Sequence, residues 1–271
     1  MEPAPQTVKG WRRWGPVRFV ELYMLSSASN YAAGLAFHAF VSTFPLILAI
    51  IALVGLFPQA EEFRKLVESS LAGIFPKGDR AAIAQTFSHA KGAAGALVVV
   101  SVLGLLWTGT NLFSSMEFAL NEIYLCASRS ILRSRLMGLA MIGTFVVAIA
   151  LTVGANALAE FFPGTHIFGF LTGWLVMFGL LVVIYKVVPN RHIDFAEVWP
   201  GALLAALSIE LLTIVFPIYA GLTNSAGSYG REFGFLFVLA TWFYFLCMLL
   251  LMGAVLNRMR VEHYAGLKRV P

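Results

Sequence analysis

Long stretches without a charged residue alternate along this chain with short polar ones. The apolar runs cover 31–57, 93–113, 136–158, 167–188, 198–220 and 233–256. At 1.5 Å per residue each can cross about 30 Å of hydrocarbon. Lipid offers no partner for backbone N–H and C=O groups, so a crossing segment of this kind must be helical. The pattern therefore predicts an all-α, polytopic membrane protein with a six-transmembrane-helix bundle. The first run follows basic residues but exceeds a signal-peptide core, which has about 7–15 apolar residues, and no small-residue cleavage site follows it. It reads as a membrane helix. The expected organisation is one membrane domain over 1–271: an interfacial segment 1–30, the bundle 31–256 and a tail 257–271.

Weaker helical patterns flank the first crossing. Trp11 and Trp14 among basic residues look like an interfacial anchor, continued by an amphipathic stretch with Val17, Val20 and Met24 on one side. In the long connection 58–92, Phe63, Leu66, Val67, Leu71 and Ile74 recur at helical spacing opposite Glu61, Glu62, Arg64, Lys65 and Glu68. Pro76 and Gly78 break that pattern. Asp79 then stands where it can cap a second loop helix with the apolar stripe Ile83, Phe87 and Ala90. The expectation is a helical hairpin on or near the bilayer surface.

Composition supports the class: 59% of residues are hydrophobic and 12% charged, against about 25% charged in soluble domains. The net charge of +5 could suggest nucleic acid, but its distribution points elsewhere. With the N-terminus inside, thirteen of the nineteen Lys and Arg residues fall on inner segments, as the positive-inside rule requires. Five of the other six lie in the 58–92 loop among acids. Both termini are expected in the cytoplasm, with membrane lipids rather than nucleic acid as partners. Cys126 falls near the inner end of the second membrane helix and Cys247 inside the sixth, and neither suggests a disulfide or a metal site.

Polar residues inside the runs are the candidates for chemistry. On the first crossing Asn30, Gly34, His38 and Ser42 are spaced by four and share a ridge, followed by Pro45. The ridge suits either tight helix packing or the wall of a cavity. Pro45 lacks an amide hydrogen and frees the carbonyl of Val41, with Ser42 and Thr43 expected to satisfy the freed groups, which makes it a candidate hinge. Glu210 is an acid near the middle of the fifth run, where a carboxylate is costly and must face the bundle. It reads either as a substrate or proton group or as a hydrogen-bonding packing residue. Pro217 follows it as a second candidate hinge, and Gly201 with Ala205 offers a close-contact face near the inner end of the same helix. Trp107, Thr108, Asn111, Ser114, Glu117, Asn121 and Glu122 recur at three- and four-residue spacing. They either line an inner vestibule or emerge into the cytoplasm. No phosphate loop, nucleophile elbow, metal-spaced His pair or dinucleotide fingerprint is present, so neither an enzyme nor a cofactor is expected.

Several segments together resemble the YihY/BrkB family of bacterial inner-membrane proteins. The first-run segment 36–46, with Ser42 and Pro45, carries the likeness, as do Asn121 within 119–124, Pro189 and Asn190 with Arg191, and Pro200 and Gly201 with Ala202. Tyr229, Gly230, Trp242, Tyr244, Gly253 and Ala254 in and around the sixth run complete it. The family pattern usually places aromatic residues where Phe37 and His38 stand, so this chain departs from it at His38. The resemblance implies a six-helix inner-membrane protein. It also implies a role in the cell envelope, since some members are linked to lipid or lipopolysaccharide export and others to serum resistance. The old family label of ribonuclease BN is regarded as mistaken. The leading expectation is a transporter or lipid-handling protein that accepts an amphiphilic envelope substrate between its first and fifth membrane helices, with Glu210, His38, Ser42, Asn30 and Asn111 as cavity candidates. A non-transporting envelope-biogenesis scaffold, alone or as an oligomer, is the alternative.

Overall fold

A computed structural model of the protein describes residues 15–56, 80–159, 165–223 and 228–267. Among these residues it contains seven helices and no strand: α1 (Gly15–Leu25), α2 (Ala28–Leu56), α3 (Arg80–Tyr124), α4 (Ile131–Ala159), α5 (Thr165–Val187), α6 (Phe195–Thr223) and α7 (Ser228–Leu267). Five of them, α2, α3, α4, α6 and α7, contain stretches long and apolar enough to cross a membrane, and in α5 the described apolar stretch is the shorter Gly173–Val187.

One expectation is corrected by α3. The segment after Asp79 is not a separate loop helix, because Arg80–Tyr124 is one continuous helix of 45 residues. No proline separates Ile83, Phe87 and Ala90 from the second apolar run, and Gly92 alone weakens a helix without ending it, so the first turn propagates through it. The side chains of those three residues, Asp79 itself and the 63–74 pattern lie outside the described residues, as do Trp11 and Trp14. At the N-terminus α1 matches the amphipathic stretch, but Val17, Val20 and Met24 are exposed, and the opposite side, with Phe19, Leu22 and Tyr23, packs on the bundle. The exposed stripe is the one available to lipid.

Local chemistry sets the joints. Ser27 takes a positive φ of 50° between α1 and α2, and the Ser26 hydroxyl donates to the Tyr23 carbonyl at 3.1 Å. Leu125, with φ of 55°, ends α3. There the Cys126 amide reaches back to the Asn121 carbonyl at 2.8 Å and the Leu125 amide to that of Glu122 at 3.3 Å. This is a Schellman end with leucine where glycine is favoured. At the start of α6 Asp194 is the N-cap: its carbonyl accepts the Glu197 amide at 3.0 Å, and the Glu197 carboxylate accepts the Asp194 amide at 3.4 Å.

Around the bundle α2, α3, α4, α5, α6 and α7 each pack on the next, and α7 closes on α2 while also touching α3. The core concentrates where the ends of α3, α5 and α7 meet the start of α6, with Leu120, Ile123, Leu181, Tyr185, Val198, Leu251 and Val255 fully buried. Elsewhere large apolar side chains face outward, such as Leu103, Trp107, Leu211 and Phe237. An outward apolar girdle on this scale is a surface for lipid.

Candidate functional site

Between α2 and α3 lies an open cavity of about 450 Å³ lined by Asn30, Tyr31, Gly34, Leu35, His38, Asn111, Ser114, Ser115 and Phe118. Four of the polar positions singled out in the sequence, Asn30, His38, Asn111 and Ser114, meet here from two helices. Gly34 is not a close-contact glycine, because a Cβ built on it meets nothing within 4 Å. The ridge of α2 thus faces a groove rather than a packed helix. Ser42 lies one turn further along and is not part of the lining; its hydroxyl donates to the His38 carbonyl at 2.8 Å.

Pro45 stays inside an unbroken α2, and its ring rests on α3, with Cβ at 3.0 Å from where a Cβ on Gly104 would stand. Ser42 and Thr43 do not satisfy the Val41 carbonyl, contrary to expectation. They bond the carbonyls of His38 and Ala39, because a helical hydroxyl reaches back three or four residues, which places Val41 out of range.

A second cavity, of about 220 Å³, adjoins the groove and shares Ser114 and Phe118 with it; Glu117, Asn121, Ser128, Arg129, Ile131, Ser134 and Arg135 complete its wall. Arg129 crosses from the α3–α4 connection to the end of α5. It bonds the carbonyls of Val187 at 3.1 Å, Val188 at 2.5 Å and Pro189 at 3.0 Å, and pairs with the buried Glu117 at 3.2 Å. The guanidinium so satisfies orphan carbonyls and complements the negative end of a helix dipole in one contact. Arg135 donates to Thr110 at 3.1 Å and Asn111 at 2.7 Å. The polar run on α3 therefore divides: Asn111, Ser114, Glu117 and Asn121 face these cavities, whereas Trp107 and Glu122 are exposed. Next to them burial pushes the Cys126 thiol up from its ordinary value, and Arg191 opposes that shift.

Glu210 is not at this site. It is half-buried on α6, lines neither cavity, and α7 stands between α6 and α2 in the ring. The groove that gathers Asn30, His38 and Asn111 lies between α2 and α3, whereas the expectation placed a pocket between the first and fifth membrane helices. Pro217 falls within α6, but its side chain lies outside the described residues.

Most residues that carry the family resemblance are joints. The Asn190 amide donates to Asn121 Oδ1 at 2.8 Å, and Asn190 Nδ2 to the Ala127 carbonyl at 2.9 Å. Gly201 opposes Gly253, and the Gly201 amide donates to Asn257 Oδ1 at 2.8 Å. Pro200 lies in the second turn of α6, Trp242 packs on Phe216 with ring centroids 4.6 Å apart, and Tyr244 meets Ser29 at 3.0 Å. Tyr229 and Gly230 fall in α7, with their side chains outside the described residues. Sequence reasoning missed Arg129, Arg135 and Asn257; the only signal was that each is a polar residue beside or within an apolar run.

A bundle of long apolar helices with an outward apolar girdle defines a multi-pass membrane protein. The chain belongs to the BrkB family: a family model described as virulence factor BrkB matches residues 20–270. It is 24% identical over 256 residues to the putative ribonuclease-like protein YfkH of Bacillus subtilis, covering 87% of this chain and 90% of that one. It is 30% identical over 243 residues to a UPF0761 membrane protein of Rhodospirillum rubrum, covering 83% of this chain and 53% of that one. A UPF0761 membrane protein of Stenotrophomonas maltophilia is 25% identical over 242 residues, with 83% and 56% covered. The chain thus spans about half the length of these UPF0761 relatives. No solved structure matches it.

Proposed function

We propose that this protein crosses the bacterial inner membrane six times, with both termini in the cytoplasm, and handles an amphiphilic lipid of the cell envelope in the groove between α2 and α3. Helix α5, with 23 residues, is about 35 Å long and is the sixth crossing. The observation that carries the reading is the groove itself: Asn30, His38, Asn111, Ser114 and Ser115 line an open space of about 450 Å³ together with Leu35 and Phe118. Polar groups exposed beside an apolar girdle are costly in lipid unless a ligand or water meets them. An amphiphile supplies polar atoms for one wall and chains for the other. The reading is of a non-enzyme without a bound cofactor, and the purified protein is expected to leave RNA intact; cleavage that disappears in a point mutant would overturn that part.

Comparison of inner-membrane leaflet lipids in cells with and without the protein tests the main reading. A shift is expected on deletion, restored by the wild type but not by Ser115→Trp, which fills the groove. An unchanged lipid distribution would favour the scaffold, in which the groove is a docking surface for another envelope protein.

A further inference from the structure

Three buried polar atoms at the inner end of α3 have no partner among the described residues, and two of them, Glu117 Oε2 and Asn121 Nδ2, belong to residues on one cavity, which the third, the Tyr124 hydroxyl, does not line. Glu117 and Asn121 are both at least nine-tenths buried, and both form the wall of the same 220 Å³ cavity. Their other atoms are committed. Glu117 Oε1 takes Arg129, and Asn121 Oδ1 takes the Asn190 amide, which fixes the amide so that its NH₂ is the unsatisfied end. Both side chains border one cavity and each keeps one buried polar atom uncommitted, so an occupant that accepts from Asn121 and donates to Glu117 would complete both.

Charge narrows the occupant. Arg129 is balanced by Glu117 and by the carbonyl end of α5. Arg135 has only the neutral partners Thr110 and Asn111 among the described residues, so the cavity keeps one positive charge in excess. A singly negative phosphate ester cancels it. The donor for Glu117 is then better a hydroxyl than an ammonium, because a second cation on a carboxylate already paired with Arg129 would restore the excess.

Position narrows it further. Arg135 also borders a third cavity, of about 380 Å³, whose other walls are Leu103, Leu106, Trp107 and Thr110. The order from the α3–α4 connection along the lipid-facing side of α3 is polar cavity, Arg135, apolar trough. That is the order of headgroup, phosphate and acyl chain in a lipid.

We propose that the Glu117–Asn121–Arg135 cavity binds a monoanionic phosphate ester whose alcohol carries hydroxyl donors, the chemistry of a glycerophosphate headgroup. This rests on the lipid-handling reading and names the class of headgroup. The chemistry is shared by phosphatidylglycerol and by its free headgroup glycerophosphoglycerol, a phosphodiester with the same single negative charge, and the test separates them.

Purified full-length protein in detergent is titrated in separate native mass-spectrometry experiments with phosphatidylglycerol, phosphatidylethanolamine and phosphatidylcholine of matched chains, with free glycerophosphoglycerol as a competitor. Phosphatidylglycerol is expected to bind about tenfold more tightly than the other two. Arg135→Gln, which keeps a polar group near Thr110, should erase the preference. Arg133→Gln, on the exposed side of the same helix and outside the cavity wall, should leave it intact. If Arg135→Gln fails to fold, Ser128→Phe, which obstructs the cavity from the loop, must lose the preference instead. Equal binding of all three lipids, or equal losses in the Arg133 and Arg135 variants, overturns the headgroup assignment while leaving the lipid reading standing. Free glycerophosphoglycerol binding as tightly as the lipid keeps the headgroup chemistry and overturns lipid handling.

Discussion

Gly201 of α6 and Gly253 of α7 face each other with no room for a side chain on either. A Cβ on Gly201 would collide with the Gly253 carbonyl oxygen, and one on Gly253 would come within 2.6 Å of the Gly201 carbonyl oxygen and meet the Tyr185 hydroxyl. The Tyr185 hydroxyl is itself bonded to the Leu250 carbonyl at 2.6 Å, and the Gly201 amide to Asn257 at 2.8 Å. Two hydrogen bonds and two missing side chains thus hold three helices at one point.

Gly201→Ala is expected to destabilise the protein by about 1–3 kcal/mol or more, because the obstacle is backbone and cannot rotate away. The loss should appear as a lower unfolding temperature in detergent. Gly34→Ala serves as the control, since a Cβ there meets nothing, and its midpoint should stay near that of the wild type.

Arg129 holds three carbonyls and one buried carboxylate, so Arg129→Ala should cost about 3–5 kcal/mol by leaving Glu117 buried without its partner. Arg129→Lys should recover only part of the loss, because an ammonium cannot reproduce the guanidinium fork. Unfolding midpoints of the two variants check both statements.

The topology predicts a labelling pattern. Cysteines introduced at Ser69 and Thr165 should react with an impermeant thiol reagent in intact cells, and one at Ser130 should not. The reverse pattern would invert the proposed orientation.

Glu210 separates charge from packing. It has no hydrogen bond to another described residue and lies away from the groove. Glu210→Gln is expected to insert at normal levels, and failure to restore the leaflet-lipid distribution proposed above, at matched expression, would assign its charge a role that the groove does not explain. Full complementation would leave only packing. Glu210→Leu gives the companion measurement of how much its polarity adds to stability.

The raised Cys126 thiol carries a pH prediction. A pKa moved upward leaves less thiolate near neutrality. In a Cys247→Ser background Cys126 should alkylate more slowly than free cysteine at pH 8, and its rate should keep rising with pH beyond the ordinary thiol range.

The class of this protein was legible in the chain because crossing a bilayer imposes a length and a composition that need no knowledge of the neighbours: the runs from 31 to 256 are long, apolar and nearly free of charge. The close-contact face of Gly201 and Ala205 was legible for a related reason, since small residues four apart are what lets backbones approach. Which side of each helix faces which neighbour was not legible. These helices are apolar nearly all round, so periodicity carries little directional information. Asn111 was visible as a polar residue, but its meeting with Asn30 and His38 across a groove, and Glu210's place on the far side of α7, depend on the order of helices around the ring. Arg129 looked like one more positive-inside charge; only the fold brings it to carbonyls 58 to 60 residues away. Contacts of that range are set by how helices pack, which the local sequence of any one of them does not encode.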